Sequence, residues 1–317
     1  MSNLERDPGE TECGGRGGAA GPVSEPLPGR EVVLGGPRGM KVTRTLPGRE
    51  IRTVGAWCFL DHYGPQRATM RVPPHPHTGL QTVSWLVEGE VLHRDSLGSE
   101  RTIRPGQLNL MTAGRAISHS EESPRDGTLH GVQLWVALPE AHRWTDPRFE
   151  HHPVLPVLAG PGFTATVLMG ELDGVVSPAR IHSPLIGAEI SLEAGAEVRI
   201  PARPDFEYAA LALEGAARVE GIDLARGPLL YLGTGRPDLR LRAERPARLL
   251  LVGGEPFEER IVMWWNFVGR DHDEIAGFRR RWTAGEGFGT VPGATAAPLP
   301  APEMPTVPLK PRGRRRA

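Results

Sequence analysis

Cysteine is almost missing from this chain. Two residues in 317, Cys13 and Cys58, cannot build a disulfide framework. Cys13 also sits in a Gly-rich stretch, so a reducing, cytoplasmic setting is expected. No apolar run is long enough to span a bilayer, and the amino terminus lacks the basic-then-apolar order of a secretory signal. Neither a membrane span nor a signal peptide is expected. Charge of one sign is not in excess: 37 Lys and Arg face 38 Asp and Glu, a formal net charge of -1. That balance removes the electrostatic reason to expect direct nucleic-acid or membrane binding by the folded part. What the chain does have is 40 glycines and 32 prolines, which favour short strands and tight turns over a helical fold. The length suits two domains, each able to bury a core, and a monomer is expected.

The chemistry concentrates between Pro73 and Glu121. The stretch opens on His75-Pro76-His77 and closes on His119-Ser120-Glu121. Successive side chains of a strand point to opposite faces, so residues two apart share one. His75 and His77 therefore point the same way, as do His119 and Glu121. Two such strands could set three imidazoles and one carboxylate around a single ion. This donor mix suits a divalent first-row transition metal better than magnesium or calcium, which prefer all-oxygen shells. The bland alternative makes the first pair turn residues and the second a surface pair. Between the pairs, Val83-Ser84-Trp85-Leu86-Val87 is apolar and strand-like. Glu90-Val91-Leu92-His93-Arg94-Asp95 alternates as a half-buried strand does. The expectation is a metal inside a small antiparallel barrel.

Along the chain, residues 1–28 read as a disordered leader. Residues 29–150 are expected to form the metal-binding barrel, with Asp61-His62-Tyr63-Gly64-Pro65 as a turn. A Pro-rich crossing at 147–162 leads to a second strand-rich block, 151–255. Its segments 164–169, 188–192, 197–200, 208–213, 216–219 and 228–232, with Ala247–Gly254, are short and bounded by Gly or Pro. Glu88-Gly89 and Glu214-Gly215 turns hint at duplication. Where a duplicate would repeat His-x-His, the chain reads Asp205-Phe206-Glu207-Tyr208, so the second barrel is expected to be metal-free. Residues 256–290 form a closing segment with one helix at 272–283. There Asp271 and Glu274 make a capping pattern, and Ile275, Phe278 and Trp282 an apolar stripe. Trp264-Trp265 should fix that helix to the barrels. Residues 291–317 read as a Pro/Arg-rich flexible tail whose arginines are solvated.

Taken together the motifs resemble the pirin family, two-barrel members of the cupin superfamily. The resemblance rests on Phe59-Leu60-Asp61-His62 with Gly64-Pro65, on His75-Pro76-His77 with Thr82-Val83, and on Glu88-Gly89-Glu90-Val91. It continues through His93-Arg94-Asp95-Ser96-Leu97-Gly98, Met111-Thr112-Ala113-Gly114-Arg115 and His119-Ser120-Glu121. Gln133-Leu134-Trp135-Val136 and Gly253-Gly254-Glu255-Pro256 complete it. It covers roughly residues 30–290 and implies an all-β fold of two tandem cupin (jelly-roll, double-stranded β-helix) barrels with a short carboxy-terminal helix. It also implies His75, His77, His119 and Glu121 as metal ligands. Many cupins carry a ligand-capable Glu where this chain has Gln81. A neutral amide is a poor ligand, so Gln81 is expected instead to order a neighbouring His or a water. His62 reads as structural. His93 is expected to face outward or to be satisfied by a neighbour, and His151-His152 to be solvated. Trp85, Leu110 and Trp135 read as core first and pocket lining second, and Cys58 as inert packing.

Two functions follow from the resemblance. The first is a metal-dependent dioxygenase that opens a flavonol ring of the quercetin type, with Glu121 as base and Fe(II) as metal; Ni, Mn, Co, Cu or Zn would fit the same ligands. Its substrate is a small phenolic or flavonoid. The alternative is a non-catalytic metal-binding regulator that acts through a protein partner, either a transcription cofactor or an enzyme modulator.

Overall fold

A computed structural model describes residues 21–34 and 40–314. Antiparallel strands dominate and form two barrels, each from a large and a small sheet. In the amino-terminal barrel the large sheet runs, in spatial order, Arg148–His152, Leu108–Thr112, Leu80–Glu88, Gly127–Ala137, Trp57–Ala68, Met40–Leu46 and Arg30–Leu34. The small sheet runs Arg71–His77, Ile117–Glu122, Val91–Asp95 and Glu100–Ile103. Val42, Tyr63 and Leu86 of the large sheet share one apolar cluster with Val72, Val91 and Ile103 of the small one. That burial keeps the two sheets face to face. In the second barrel, Ile186, Ala210 and Leu251 pack in the same way on Ile200, Leu239 and Leu241.

The large sheets lie back to back. Phe59, Trp85 and Leu134 of the first share a cluster with Leu211, Leu250 and Val252 of the second. Strands covered on both faces have no reason to alternate, which is why Val83–Val87 reads as a nearly continuous apolar run. The polar ends of the joint are satisfied. Trp57 Nε1 lies 3.1 Å from the carbonyl oxygens of both Ile186 and Gly253. Trp85 Nε1 donates to Glu189 at 2.7 Å, and Arg248 holds the same carboxylate at 2.8 Å.

The ends of the chain depart from the sequence expectation. Residues 1–20 lie outside the described residues. Pro22–Leu27, assigned above to a disordered leader, is a strand paired antiparallel with Leu229–Gly233 of the second barrel. Only Leu27 in it is buried, because an edge strand is held by backbone pairing and needs little apolar side chain. At the other end, the stretch read as a flexible tail lies against the body as far as Arg314. Leu299 N–H donates to Pro74 O at 2.8 Å, Leu309 is buried, and Arg312 pairs in both directions with Ile261. Arg314 reaches the Glu207 carboxylate at 2.9 Å. Isolated anchors in a proline-rich chain leave no periodicity to read. Residues 315–317 lie outside the described residues.

Two further corrections concern turns. The strand Trp57–Ala68 runs straight through Asp61–Pro65, because Gly64 (φ +78°) sits at a register shift opposite Leu129–Gly131. Its Gly-Pro signal marks a bulge, not a reversal. The crossing at 147–162 contains two strands, Arg148–His152 and Val157–Gly160. The helix lies where expected, His272–Thr283, with Asp271 accepting from the Glu274 N–H at 2.9 Å. With Trp264, Trp265 and Phe267, its Ile275 and Phe278 pack against Ala116 of the first barrel.

Candidate metal centre

The site is a product of strand register. Ile117–Glu122 is flanked in the small sheet by Arg71–His77 and Val91–Asp95. His119 stands opposite His75 on one side and Asp95 on the other, and Glu121 stands opposite His93. Directly opposed residues share a face, so these side chains converge within the barrel. The pairing shifts between His119 and Glu121, where Pro73 and Pro74 together oppose Ser120. Prolines have no N–H to lose from a ladder, so the bulge falls on them at little cost. It also leaves the Pro73 carbonyl oxygen 2.8 Å from His75 Nδ1.

His75, His77, His119 and Asp95 are fully buried, and Glu121 and His93 nearly so. The donor atoms of His75, His77 and His119 all lie within 4.8 Å of one another. Glu121 joins His119 and His93 in a second grouping of the same tightness. Burial, and the other imidazoles beside them, push the His77 and His119 pKa values well below the ordinary value. Burial likewise pushes His75 down to about 4. The three rings are therefore neutral at neutral pH, as ligation requires.

Proton accounting shows that the donor set fits a cation. His75 Nδ1 faces the Pro73 carbonyl and His77 Nδ1 the Asn266 carbonyl at 3.0 Å, so both Nδ1 atoms carry the proton. Each Nε2 then has a bare lone pair. His75 Nε2 is buried without a hydrogen-bond partner. Asp95 accepts from His93 Nε2 at 3.0 Å, which leaves His93 Nδ1 as an acceptor, and His119 Nδ1 lies 3.3 Å from it. His119 Nδ1 is then protonated and its Nε2 bare. That Nε2 faces His77 Nε2 at 3.1 Å, two lone pairs directed at each other. In this tautomer a cation shared between the two nitrogens turns the opposition into an attraction.

Ser84 Oγ lies 3.1 Å from Glu121 Oε1 and 2.9 Å from Gln133 Oε1. His77 meets the Trp135 ring edge-on with centroids 5.2 Å apart. Gln81 is buried in the large sheet, opposite Thr112. Its amide donates to Thr112 Oγ1 at 2.9 Å and to the Arg180 carbonyl at 3.0 Å, tying the first barrel to the segment before Leu185–Leu192. His93 is not outward. Val91, His93 and Asp95 form the buried face of their strand, so His93 is satisfied by Asp95 and stacked on Phe149. The period-two pattern contained that signal. Asn266, reached only through the closing segment, had none.

The remaining candidates lie elsewhere. His151 and His152 belong to an edge strand and are half-buried rather than solvated; His151 Nδ1 lies 2.7 Å from Asn109 Oδ1. Cys58 is buried and its thiol pushed up to about 12 by burial, which keeps it unreactive. Among the described residues, no grouping of three metal-ligand side chains lies in the second barrel. Glu207, in the segment where a duplicate motif was sought, accepts instead from the Gly55 N–H and the Tyr231 hydroxyl.

His62 pairs with His130, Nε2 to Nε2 at 3.0 Å. Burial first, and His130 second, lower the His62 pKa to about 3; burial and Arg226 lower His130 to about 4. Folded values below the ordinary 6.5 mean that the unfolded chain binds protons more readily. Stability from this pair is complete above about pH 6.5 and is lost as pH falls toward 3. His62→Gln is expected to flatten the fall of the melting temperature between pH 6.5 and 4. An unchanged slope would contradict this assignment.

Comparison with known proteins agrees with this architecture. The family model described as Pirin matches residues 39–136, and that of the Pirin C-terminal cupin domain matches 187–289. A Pseudomonas aeruginosa protein named "Putative quercetin 2,3-dioxygenase" is 46% identical over 282 residues, which cover 87% of this chain and 89% of the relative. A pirin-like protein of Caulobacter vibrioides is 38% identical over 77% of this chain and 88% of its own. A crystal structure titled quercetin 2,3-dioxygenase, from Acinetobacter baumannii, superposes with a TM-score of 0.86 at 43% identity, covering 90% of this chain and 96% of that one. With both of its barrels matched and relatives this similar over most of its length, the chain belongs to the pirin family of cupins.

Proposed function

We propose that the chain is a metal-dependent dioxygenase that opens the ring of a flavonol of the quercetin type, with His75, His77, His119 and Glu121 as the metal ligands. The observation that carries this is the trio of bare, buried Nε2 lone pairs. Three imidazoles with one carboxylate favour Fe(II), and Ni, Mn, Co, Cu or Zn fit the same donors. The names carried by the Pseudomonas and Acinetobacter relatives support the substrate class. When bound, such an ion supplies Lewis-acid acidification of a flavonol hydroxyl.

The chain's own groups do the rest. The Pro73 and Asn266 carbonyls hold the His75 and His77 rings in the ligating tautomer. Glu121 takes the hydroxyl proton as base, and Ser84 keeps its carboxylate oriented. The apolar walls around Trp135 keep bulk water from the resulting anion. Ring opening consumes one dioxygen per flavonol and releases one carbon monoxide.

The test is reconstitution of purified protein with Fe(II), and separately with the other divalent ions, followed by aerobic assay. Equal molar loss of flavonol and dioxygen, with one equivalent of carbon monoxide, is expected from loaded protein alone. If metal-replete protein consumes no more flavonol than metal-free protein, the catalytic reading falls. The non-catalytic, partner-binding role then takes its place.

A further inference from the structure

Asp95 and His93 are assigned no part in the ligand set proposed above, yet they occupy its inner wall. Asp95 is fully buried and committed on both oxygens. Its Oδ1 accepts the backbone N–H groups of Leu97 and Ser99 at 2.9 and 3.0 Å, and its Oδ2 accepts from His93 Nε2 at 3.0 Å. Burial opposes its ionisation, but the bonds from His93 and Ser99 hold its carboxyl below the ordinary value. The His93 ring is clamped by stacking on Phe149, with centroids 4.3 Å apart and planes 10° from parallel. Its remaining nitrogen, Nδ1, faces His119 Nδ1 at 3.3 Å.

We infer that Asp95 and His93 form a tautomer relay that dictates which nitrogen of His119 is bare. An ionised carboxylate can only accept, so His93 must carry its proton on Nε2. In the neutral ring His93 Nδ1 can then only accept, so His119 must carry its proton on Nδ1. The His119 lone pair is thereby fixed on Nε2, toward His75 and His77. Where metal-binding histidines commonly lean on a carboxylate or carbonyl directly, here the order is passed through a second imidazole. His93 and Asp95 are positioning residues, and their role rests on the reading of His119 as a ligand.

The relay can be reversed by one atom. In Asp95→Asn the side-chain oxygen must stay on the Leu97 and Ser99 N–H groups, because an NH2 there would face two donors. The new NH2 therefore faces His93 Nε2 and forces it to accept. His93 Nδ1 becomes protonated, His119 Nδ1 becomes the acceptor, and His119 Nε2 gains a proton where the cation should sit. His93→Gln keeps the polarity, since its amide can donate to Asp95 while its oxygen accepts from His119. His93→Phe keeps the stack on Phe149 and removes the relay.

The experiment pairs imidazole 15N NMR of the metal-free full-length chain with Zn(II) titration of the unaltered protein and the three variants. His119 is expected as the Nδ1–H tautomer in the unaltered chain and in His93→Gln, and as the Nε2–H tautomer in Asp95→Asn. Zn(II) affinity should fall about 10–100-fold in Asp95→Asn and His93→Phe, the usual cost of losing a supporting partner, and recover in His93→Gln. The NMR result on the unaltered chain does not depend on any variant folding. The relay is overturned by an Nε2–H His119 there, by undiminished affinity in Asp95→Asn, or by two Zn(II) per chain with His93 as a ligand. Failure of the unaltered protein to bind Zn(II) at all would instead count against the metal centre itself.

Discussion

His77→Ala should leave the chain unable to retain a metal. His77 sits between the Asn266 carbonyl, which accepts from its outer N–H, and His119, whose lone pair it opposes at 3.1 Å. Removing it deletes one of the three imidazole donors grouped with His75 and His119 and opens a void beside Trp135. The loss of affinity should exceed the roughly 100-fold that marks the upper end for a supporting partner. Metal content after dialysis against a mild chelator should fall from one ion per chain to background. Turnover of flavonol should fall to the level of metal-free protein. Stability supplies a readout free of catalysis. An ion at a thousand times its dissociation constant stabilises a folded site by about 4 kcal/mol, so metal should raise the melting temperature of the unaltered chain and not that of the variant. Equal metal-induced shifts in both would remove His77 from the site.

Much of this was legible because strand geometry is periodic and the candidate ligand pairs obey the period. His75 with His77, and His119 with Glu121, are two apart, and alternation alone puts each pair on one face. What alternation cannot give is register. The opposition of His119 to His75, and the bulge at Pro73-Pro74, belong to pairing between strands some forty residues apart in sequence. Alternation does group His93 with Val91 and Asp95 on one face of their strand, and of the two expectations for His93 the structure bears out satisfaction by a neighbour, Asp95. The helix boundaries were legible because capping is local, with Asp271 and Glu274 three residues apart. The ends were not. Pro22–Leu27 is held by a sheet edge some two hundred residues away in sequence, and the stretch from Leu299 to Arg314 is pinned by single contacts scattered over both barrels. His77 depends on Asn266 for its tautomer, so part of the candidate metal centre is built by a segment that no local pattern ties to it.

Glu121→Gln should separate binding from catalysis. The substitution keeps the shape of the side chain and an oxygen that can still accept from Ser84, now 3.1 Å from the carboxylate. It removes the negative charge and nearly all the basicity. Metal affinity should weaken, because a neutral amide is a poorer ligand than a carboxylate, so turnover must be compared at measured, full occupancy. At that occupancy kcat should drop about 10²–10⁴-fold, the usual contribution of a positioned general base, while KM changes little. The pH profile distinguishes a base from a ligand. If Glu121 removes the flavonol proton, the deficit must shrink as pH rises, since substrate that ionises in solution no longer needs the carboxylate. The variant should therefore regain activity toward alkaline pH while the unaltered protein stays level. A deficit that persists unchanged across that range, at full metal occupancy, would mean that Glu121 holds the ion and another group takes the proton.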